Sequence, residues 1–542
     1  MDSISKYHGL VSKIALLPPL NLWAVTKLTV VGLVVSVFAV VFYNYFLHPV
    51  AHVKGPLLAA LSPIWIVRSV AGHRLNRDIE ALHRKYGPVV RVAPNELSFA
   101  TESSLKAVHN PGPSGSLFTK KGTSEEMILR LVFPATNLLT VQDDAAHKTL
   151  RTALQPAFTA KALRDQEEIT QQHVQATVDA LATAAKTPGT PISLTRELGK
   201  MIWGIVGHLS FGQPLSIDQL GKYTMRCSNT PLEIKTPGLT WHLSDNYDHR
   251  KDLHAKVASI MEFFQYMASV PVIGSMIVFS VVTYRKLFGS SQHILGKQEL
   301  DSHIASKRSG KDFLSAILAA KDAAHLTQEE LYSNMTLLLM GGYDSSYVTL
   351  SAVFYHLLSK PEHYSRLQST LRREFASADD ITCIAVLQQP LLNACINEAL
   401  RLVPPINGHG SHRVAAKGTA IEGIWVPAGT LVSADIYTIQ RDPKCWAFAD
   451  EYRPERWLDE SNGPGTPFAK DVRTSWRPFA LGPRACIGRE MALQSIRLAV
   501  AKIVFLFDLT LENRDMVWDR DVGSHFLWHD FDVRVKVDNA RG

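Results

Sequence analysis

The sequence predicts a mainly α-helical fold with small β-sheets: one large domain, residues 48–542, behind an N-terminal segment, residues 1–47, that carries a membrane anchor. Three observations predict it. A charge-free apolar run occupies 28–47, two strand-like pieces flank a turn before residue 100, and helical periodicity dominates afterwards. The chain has 542 residues, of which 46% are hydrophobic, 20% charged and 9% aromatic, values that exclude disordered, collagen-like and coiled-coil classes. A mean hydropathy near zero excludes a multi-span membrane protein. The 57 basic and 50 acidic side chains leave a net charge of +7, too evenly spread for a nucleic-acid arm. That bias suits an acidic partner or an anionic membrane face.

The anchor is the run from Leu28 to Leu47, twenty residues, with no Lys, Arg, Asp or Glu between Lys27 and Lys54. At ~1.5 Å per helical residue it matches a hydrocarbon core of ~30 Å. A cleaved signal peptide sits nearer residue 1, and a buried helix rarely needs so long a charge-free run. Tyr43, Tyr45 and Phe46 suit the aromatic belt at the membrane interface. Flanking charge (Lys6, Lys13 and Lys27 before, Lys54 and Arg68 after) places the amino terminus in the cytosol. Cysteine usage argues instead for a cytosolic domain behind the anchor: the five cysteines (Cys227, Cys383, Cys395, Cys445, Cys486) are odd in number and unpaired in spacing, as in a reducing compartment.

Past the anchor, Pro88–Ala93 and Glu96–Ala100 read as strands split by the turn Pro94-Asn95. The clearest helix runs from Thr327 to Ser359, with Thr327 and Glu330 in capping-box spacing and Pro361 as its stop. Gly341-Gly342-Tyr343-Asp344-Ser345-Ser346 lies in its middle and predicts a kink. Pro/Gly-rich stretches at 111–116, 186–191 and 461–467 read as surface loops within one domain.

Four constellations carry chemistry. The first is Phe479-x-x-Gly482-x-Arg484-x-Cys486-x-Gly488, ahead of an apolar helical pattern that starts at Arg489. A cysteine at a helix amino terminus receives N–H donors and the positive end of the dipole, which favour thiolate and suit it to hold iron. Five fixed positions recur by accident in such a chain with a probability on the order of 10⁻⁴. The second is Glu398-x-x-Arg401, three apart on one helical face, followed by Pro454-Glu455-Arg456-Trp457. The third is the 341–346 segment. The fourth is a set of basic groups: His147 and Arg151 at i and i+4, Arg413, and Arg484. Near them, His409 and His412 have no carboxylate or cysteine at metal-site spacing and read as solvated loop residues.

The order Glu-x-x-Arg, Pro-Glu-Arg-aromatic, cysteine loop resembles the cytochrome P450 family, and the resemblance covers nearly the whole chain. It implies the cytochrome P450 fold and haem b, held by Cys486 as axial iron ligand within a loop that includes Phe479, Arg484 and Gly488. By the same resemblance Glu398, Arg401 and Arg456 form a buried ionic triad beneath that loop. His147, Arg151, Arg413 and Arg484 meet the haem propionates. Asp344 and Ser345 relay protons for oxygen activation, with serine where threonine is usual. The proline-containing segment His48 to Pro56, the stretch Tyr86 to Phe99 and Leu209-Ser-Phe-Gly212 resemble membrane-bound fungal members that serve secondary metabolism.

The resemblance implies a monooxygenase that inserts one oxygen atom into an apolar small molecule, with a terpenoid, polyketide or alkaloid skeleton. Electrons come from NADPH through a membrane-bound NADPH-cytochrome P450 reductase, since the chain has no flavin or nicotinamide fingerprint. Arg473, Arg477, Arg489 and Lys148 are the expected docking charges. The expected location is a single-pass position in the endoplasmic reticulum membrane, in contact with lipid, with a cytosolic catalytic domain. Alternatives are a haem-thiolate isomerase or dehydratase, a peroxide-driven peroxygenase, and a non-enzymatic haem sensor. Substrate contacts are expected from Pro111 to Leu139, Cys227 to Trp241, the helix near Met340, and Val403 to Ile406.

Overall fold

Leu22–Phe42 forms one α-helix (α1) that passes into a π-turn at Tyr43–Leu47. Its side chains point outward along its length, with Leu28 73% and Phe38 71% exposed, as an apolar helix outside a core must be. The stretch Thr26–Leu47 is long and apolar enough to cross a membrane. Its end is tied to the body: the Asn44 amide donates to the Leu61 carbonyl (3.1 Å), and buried Arg91 donates to the Asn44 carbonyl (2.9 Å). The computed structural model of the protein describes residues 22–110, 118–120, 133, 135–187, 189–215, 297–306, 310–320, 326–406, 413–461, 463–524 and 527–540. The stretch Cys227 to Trp241, most of Pro111 to Leu139, and the histidines at 409 and 412 lie outside the described residues.

Both predicted early strands form. β1 (Val89–Ala93) and β2 (Glu96–Phe99) pair antiparallel, Val89 opposite Phe99. With β3 (Phe118–Thr119), β4 (Arg413–Ala415) and β5 (Leu431–Ala434) they make a five-stranded sheet in the order β1-β2-β5-β4-β3. Only β2 and β5 run parallel. Helices make up most of the rest. Those that place the site are α2 (Asp144–Leu154), α3 (Leu194–Phe211), α4 (Gln328–Ser359), α5 (Pro390–Leu402) and α6 (Arg489–Leu506). A short hairpin, β6 (Gly523–Ser524) and β7 (Trp528–His529), lies near the carboxyl terminus.

The helix α4 starts where the capping box puts it. Thr327 Oγ1 accepts from the Glu330 N–H (3.2 Å), and Glu330 Oε2 accepts from the Thr327 N–H (3.0 Å). Through Gly341–Ser346, where the sequence predicts a kink, α4 stays α-helical as part of one span from Gln328 to Ser359. Tertiary packing overrides the weak propensity there. A Cβ on Gly342 would lie 2.9 Å from Val206 Cγ1 of α3, and one on Gly199 would lie 3.3 Å from the Tyr347 ring of α4. Glycine on each helix therefore lets the two backbones approach closely, with Trp203 set edge-on to Tyr343 at 5.5 Å. Gly342→Val is expected to cost about 1–3 kcal/mol by overpacking, read as a lowered thermal midpoint. A second change, Val206→Ala, should restore much of that loss; an unaltered midpoint in Gly342→Val would show that the contact does not constrain the helices.

Candidate functional site

Cys486 stands three residues before α6 in a loop that closes on itself. Its N–H donates to the Phe479 carbonyl (3.0 Å), and the Ala485 N–H donates to the Gly482 carbonyl (3.0 Å). The turn requires left-handed backbone at Ala480 (φ 56°) and Gly482 (φ 80°). At Gly482 there is also no room for a side chain: a Cβ would lie 2.4 Å from the backbone oxygen of His109. The cysteine is accessible although protein packs densely around it. Burial pushes its thiol above the ordinary value. The Gly488 N–H and the charges of Arg151 and Arg489 pull the other way without overcoming it. The donors expected at the helix start are present, then, but do not by themselves make a thiolate; a bound metal ion's charge would.

Beneath the loop, Glu398, Arg401 and Arg456 are fully buried. Arg401 grips Glu398 with two hydrogen bonds of 2.9 Å, and Arg456 Nε donates to the same carboxylate at 3.0 Å. The triad expected from sequence is thus brought together. The structure adds the Trp457 indole N–H (2.9 Å) and the Arg453 backbone N–H (2.9 Å) as donors to Glu398, and Asp471 as a second partner of Arg456. Burial pushes the Glu398 carboxyl up, but Arg401 and Arg456 outweigh it and hold it below its ordinary value of 4.5. Arg401 also donates to the carbonyls of Gln440 (2.8 Å) and Ala449 (2.6 Å), which fastens the irregular segment that leads to the loop.

Basic side chains form an arc beside the cysteine. Arg151 donates to the Ala485 carbonyl within the loop (2.8 Å). His147 is buried and pushed down to about 4, first by desolvation and then by Arg484, Arg151 and Lys120. Arg413 is buried on β4, and with Lys120 it bears on His109, which burial chiefly pushes down to about 3. Arg484 spends its donors on the backbone before α2: Val141 O (2.8 Å), Gln142 O (2.9 Å) and the Asp144 carboxylate (2.9 Å). It ties α2 to the loop. No sequence pattern points to His109 or Lys120, since His109 is a lone histidine far from every motif in sequence, with only the close approach at Gly482 joining it to the site.

On α4, Gly341 is accessible in mid-helix and has nothing within 4 Å of a Cβ position. Ser345 Oγ donates back to the Gly341 carbonyl (2.6 Å), one turn earlier. Asp344 is half-buried beside it, as is Met340. Val403 is buried, and the Trp528 indole donates to the Pro404 carbonyl (2.8 Å).

The cytochrome P450 family model matches residues 56–537. The chain is a cytochrome P450. Among its relatives, cytochrome P450 monooxygenase dpfgJ of Gibberella zeae is 53% identical over 515 residues, 95% of each chain. Cytochrome P450 monooxygenase btcB of Colletotrichum orbiculare is 41% identical over 92% of this chain and 90% of its own. Sesterfisheric acid synthase of Neosartorya fischeri is 35% identical over 93% and 94%. The family uses haem b, is haem-iron oxidoreductase in activity and draws electrons from NADPH through a reductase.

The residues of this cytochrome P450 fit that group. An accessible sulfur suits iron, and an arc of crowded cations with a buried, unbonded His109 Nε2 suits two carboxylates. Glu398→Gln leaves two buried arginines short of a charge and is expected to cost about 3–5 kcal/mol in chemical denaturation. Because the Glu398 carboxyl is lowered on folding, its contribution is present above pH 4.5 and lost as the pH falls through its folded value. The variant's stability should therefore fall less steeply with acid than the wild type's; parallel acid profiles would contradict the assignment.

Proposed function

We propose that the protein is a reductase-dependent monooxygenase that inserts one oxygen atom from O2 into an apolar small molecule, by hydroxylation or epoxidation, in fungal secondary metabolism. The observation that carries this reading is an accessible Cys486 in a loop closed by its own backbone hydrogen bonds, behind a segment fastened by the buried Glu398, Arg401 and Arg456. Haem supplies the activation of dioxygen when bound. The chain's own part is to position and to move protons. Cys486 would hold the haem iron through its sulfur, with Phe479 and Gly488 shaping its loop; Glu398, Arg401 and Arg456 hold that loop in place. Arg151, Arg413 and Arg484 balance the propionate charge, while His147 and His109, kept neutral, offer it ring N–H donors. Ser345, its hydroxyl oriented by the Gly341 carbonyl, and Asp344 pass protons from solvent to the oxygen side. The partly accessible Met340 on α4 favours an apolar substrate, and a terpenoid, polyketide or alkaloid skeleton suits it.

Residues 48–542 are read as one catalytic unit, since the groups named for haem extend from His109 to Gly488. The apolar helix α1 supports a single-pass anchor in the endoplasmic reticulum, with the catalytic unit in the cytosol where its cysteines stay reduced. Lys148, Arg473 and Arg489 are exposed on the cysteine side and suit an acidic reductase surface.

The ligand assignment is checked by the carbon monoxide difference spectrum of the reduced protein, which should carry the red-shifted Soret band in the wild type and lack it in Cys486→Ser. A band retained by the variant would refute it. Turnover is checked with reductase, NADPH and ¹⁸O₂ on candidate apolar substrates: one labelled oxygen per product molecule is expected. Ser345→Ala should raise the NADPH consumed per product, and Lys148→Glu should slow reduction without moving the Soret band. Product formed without NADPH would favour an isomerase, dehydratase or peroxygenase, and no product with any substrate a haem sensor.

A further inference from the structure

A second cluster of ligating side chains lies apart from the cysteine loop, and the monooxygenase reading makes no use of it. His73, after the helix Ile64–Ala71, meets His529 of β7 and the adjacent Asp530. His529 Nδ1 lies 2.7 Å from Asp530 Oδ2, and His73 Nδ1 lies 3.5 Å from the same oxygen. The two rings cross edge to face at 4.7 Å, and the three candidate ligand atoms all fall within 4.8 Å of one another. All three residues are half-buried.

The backbone around the cluster is fixed from both ends of the chain. The Ser524 N–H donates to the His73 carbonyl (3.0 Å), and Arg77 donates to the carbonyls of His73 and Val522 (3.0 Å each). His529 lies flat against Gly523, where a Cβ would stand 2.4 Å from its Cε1. Glycine at that place leaves room for the ring, whose Nδ1 meets the Asp530 carboxylate. The nearby cations are already engaged, Arg74 with Asp78 (3.7 Å) and Arg77 with carbonyls.

We propose that His73 Nδ1, His529 Nδ1 and Asp530 Oδ2 form a zinc(II) site, completed by water, that staples the amino-terminal helices to the β6–β7 hairpin. Two imidazoles and one carboxylate are a borderline-soft donor set that suits Zn²⁺ and not the hard cations Ca²⁺ and Mg²⁺. Zinc–ligand bonds of about 2.0–2.1 Å put the ligands of a tetrahedral shell about 3.3 Å apart, within the span of the separations here. Zinc takes the place of the protons now shared at Asp530 Oδ2. The site has a consequence for the substrate wall. Leu527 at the hairpin tip bridges to Ile406, and Trp528 holds Pro404, so a cation that fixes His529 also steadies the 403–406 segment.

The test uses the full haem-loaded chain in detergent, purified without a polyhistidine tag and stripped with a chelator. Equilibrium dialysis against Zn²⁺, with zinc and haem iron measured together, should give one zinc per iron at about micromolar free zinc. His529→Ala and Asp530→Asn should weaken uptake at least about tenfold, and Gly523→Ala, which keeps all three ligands but displaces the ring, should weaken it too. Zinc should raise the thermal midpoint of the wild type and not of the ligand variants. Wild-type protein that takes up no zinc below about 1 mM overturns the proposal, as does equal uptake by variants whose carbon monoxide spectra are unchanged. The spectrum reports Cys486 independently, so failure here is distinct from failure of the monooxygenase reading.

Discussion

Glu398 carries a full negative charge with no exposed surface, and the site's architecture depends on how that charge is satisfied. Burying a carboxylate costs several kcal/mol unless its lone pairs are met. Five hydrogen bonds meet them here, from Arg401 twice, Arg456, Trp457 and the Arg453 backbone. The two arginines then turn their remaining donors on backbone that belongs to neither helix nor sheet, at Gln440, Ala447, Ala449 and Glu451. Irregular backbone cannot be buried without such partners. One carboxylate thereby organises the stretch between residues 440 and 477, and that stretch delivers the chain to Phe479.

The two walls of the site differ in how they are held. The cysteine side is a rigid loop, closed by its own backbone bonds and tied to α2 through Arg151 and Arg484. It gathers positive charge, and its histidines stay neutral because burial and neighbouring cations both disfavour a further proton. In the long helix α4, neighbouring glycines serve two purposes. Gly342 allows α3 to approach, while Gly341 leaves space in front of Ser345. Small residues in one segment thus reconcile tight packing behind the helix with openness before it.

Much of this is legible in the sequence. The apolar run at 28–47, the strands at 88–93 and 96–100 and the capped helix at 327–359 all rest on local pattern, and they form where that pattern puts them. The cysteine loop and the Glu398, Arg401 and Arg456 residues are readable because their spacing is specific. The weak helical propensity at 341–346 does not end α4, which packs there closely against α3. His109, Lys120 and Asp471 carry no such spacing, and the thiol's balance between burial and helix-end donors depends on how deeply the fold encloses it.

The sequence by itself thus determined the elements, the long apolar helix near the amino terminus and the identity of the groups suited to iron and to the buried ion pairs, since these depend on neighbours within a few positions. Only the tertiary structure decided which distant groups meet: His109 with Gly482, Arg484 with Asp144, and His73 with His529 and Asp530. Such meetings join residues hundreds of positions apart. They are set by how helices pack and where buried charge can be satisfied, which no local periodicity encodes.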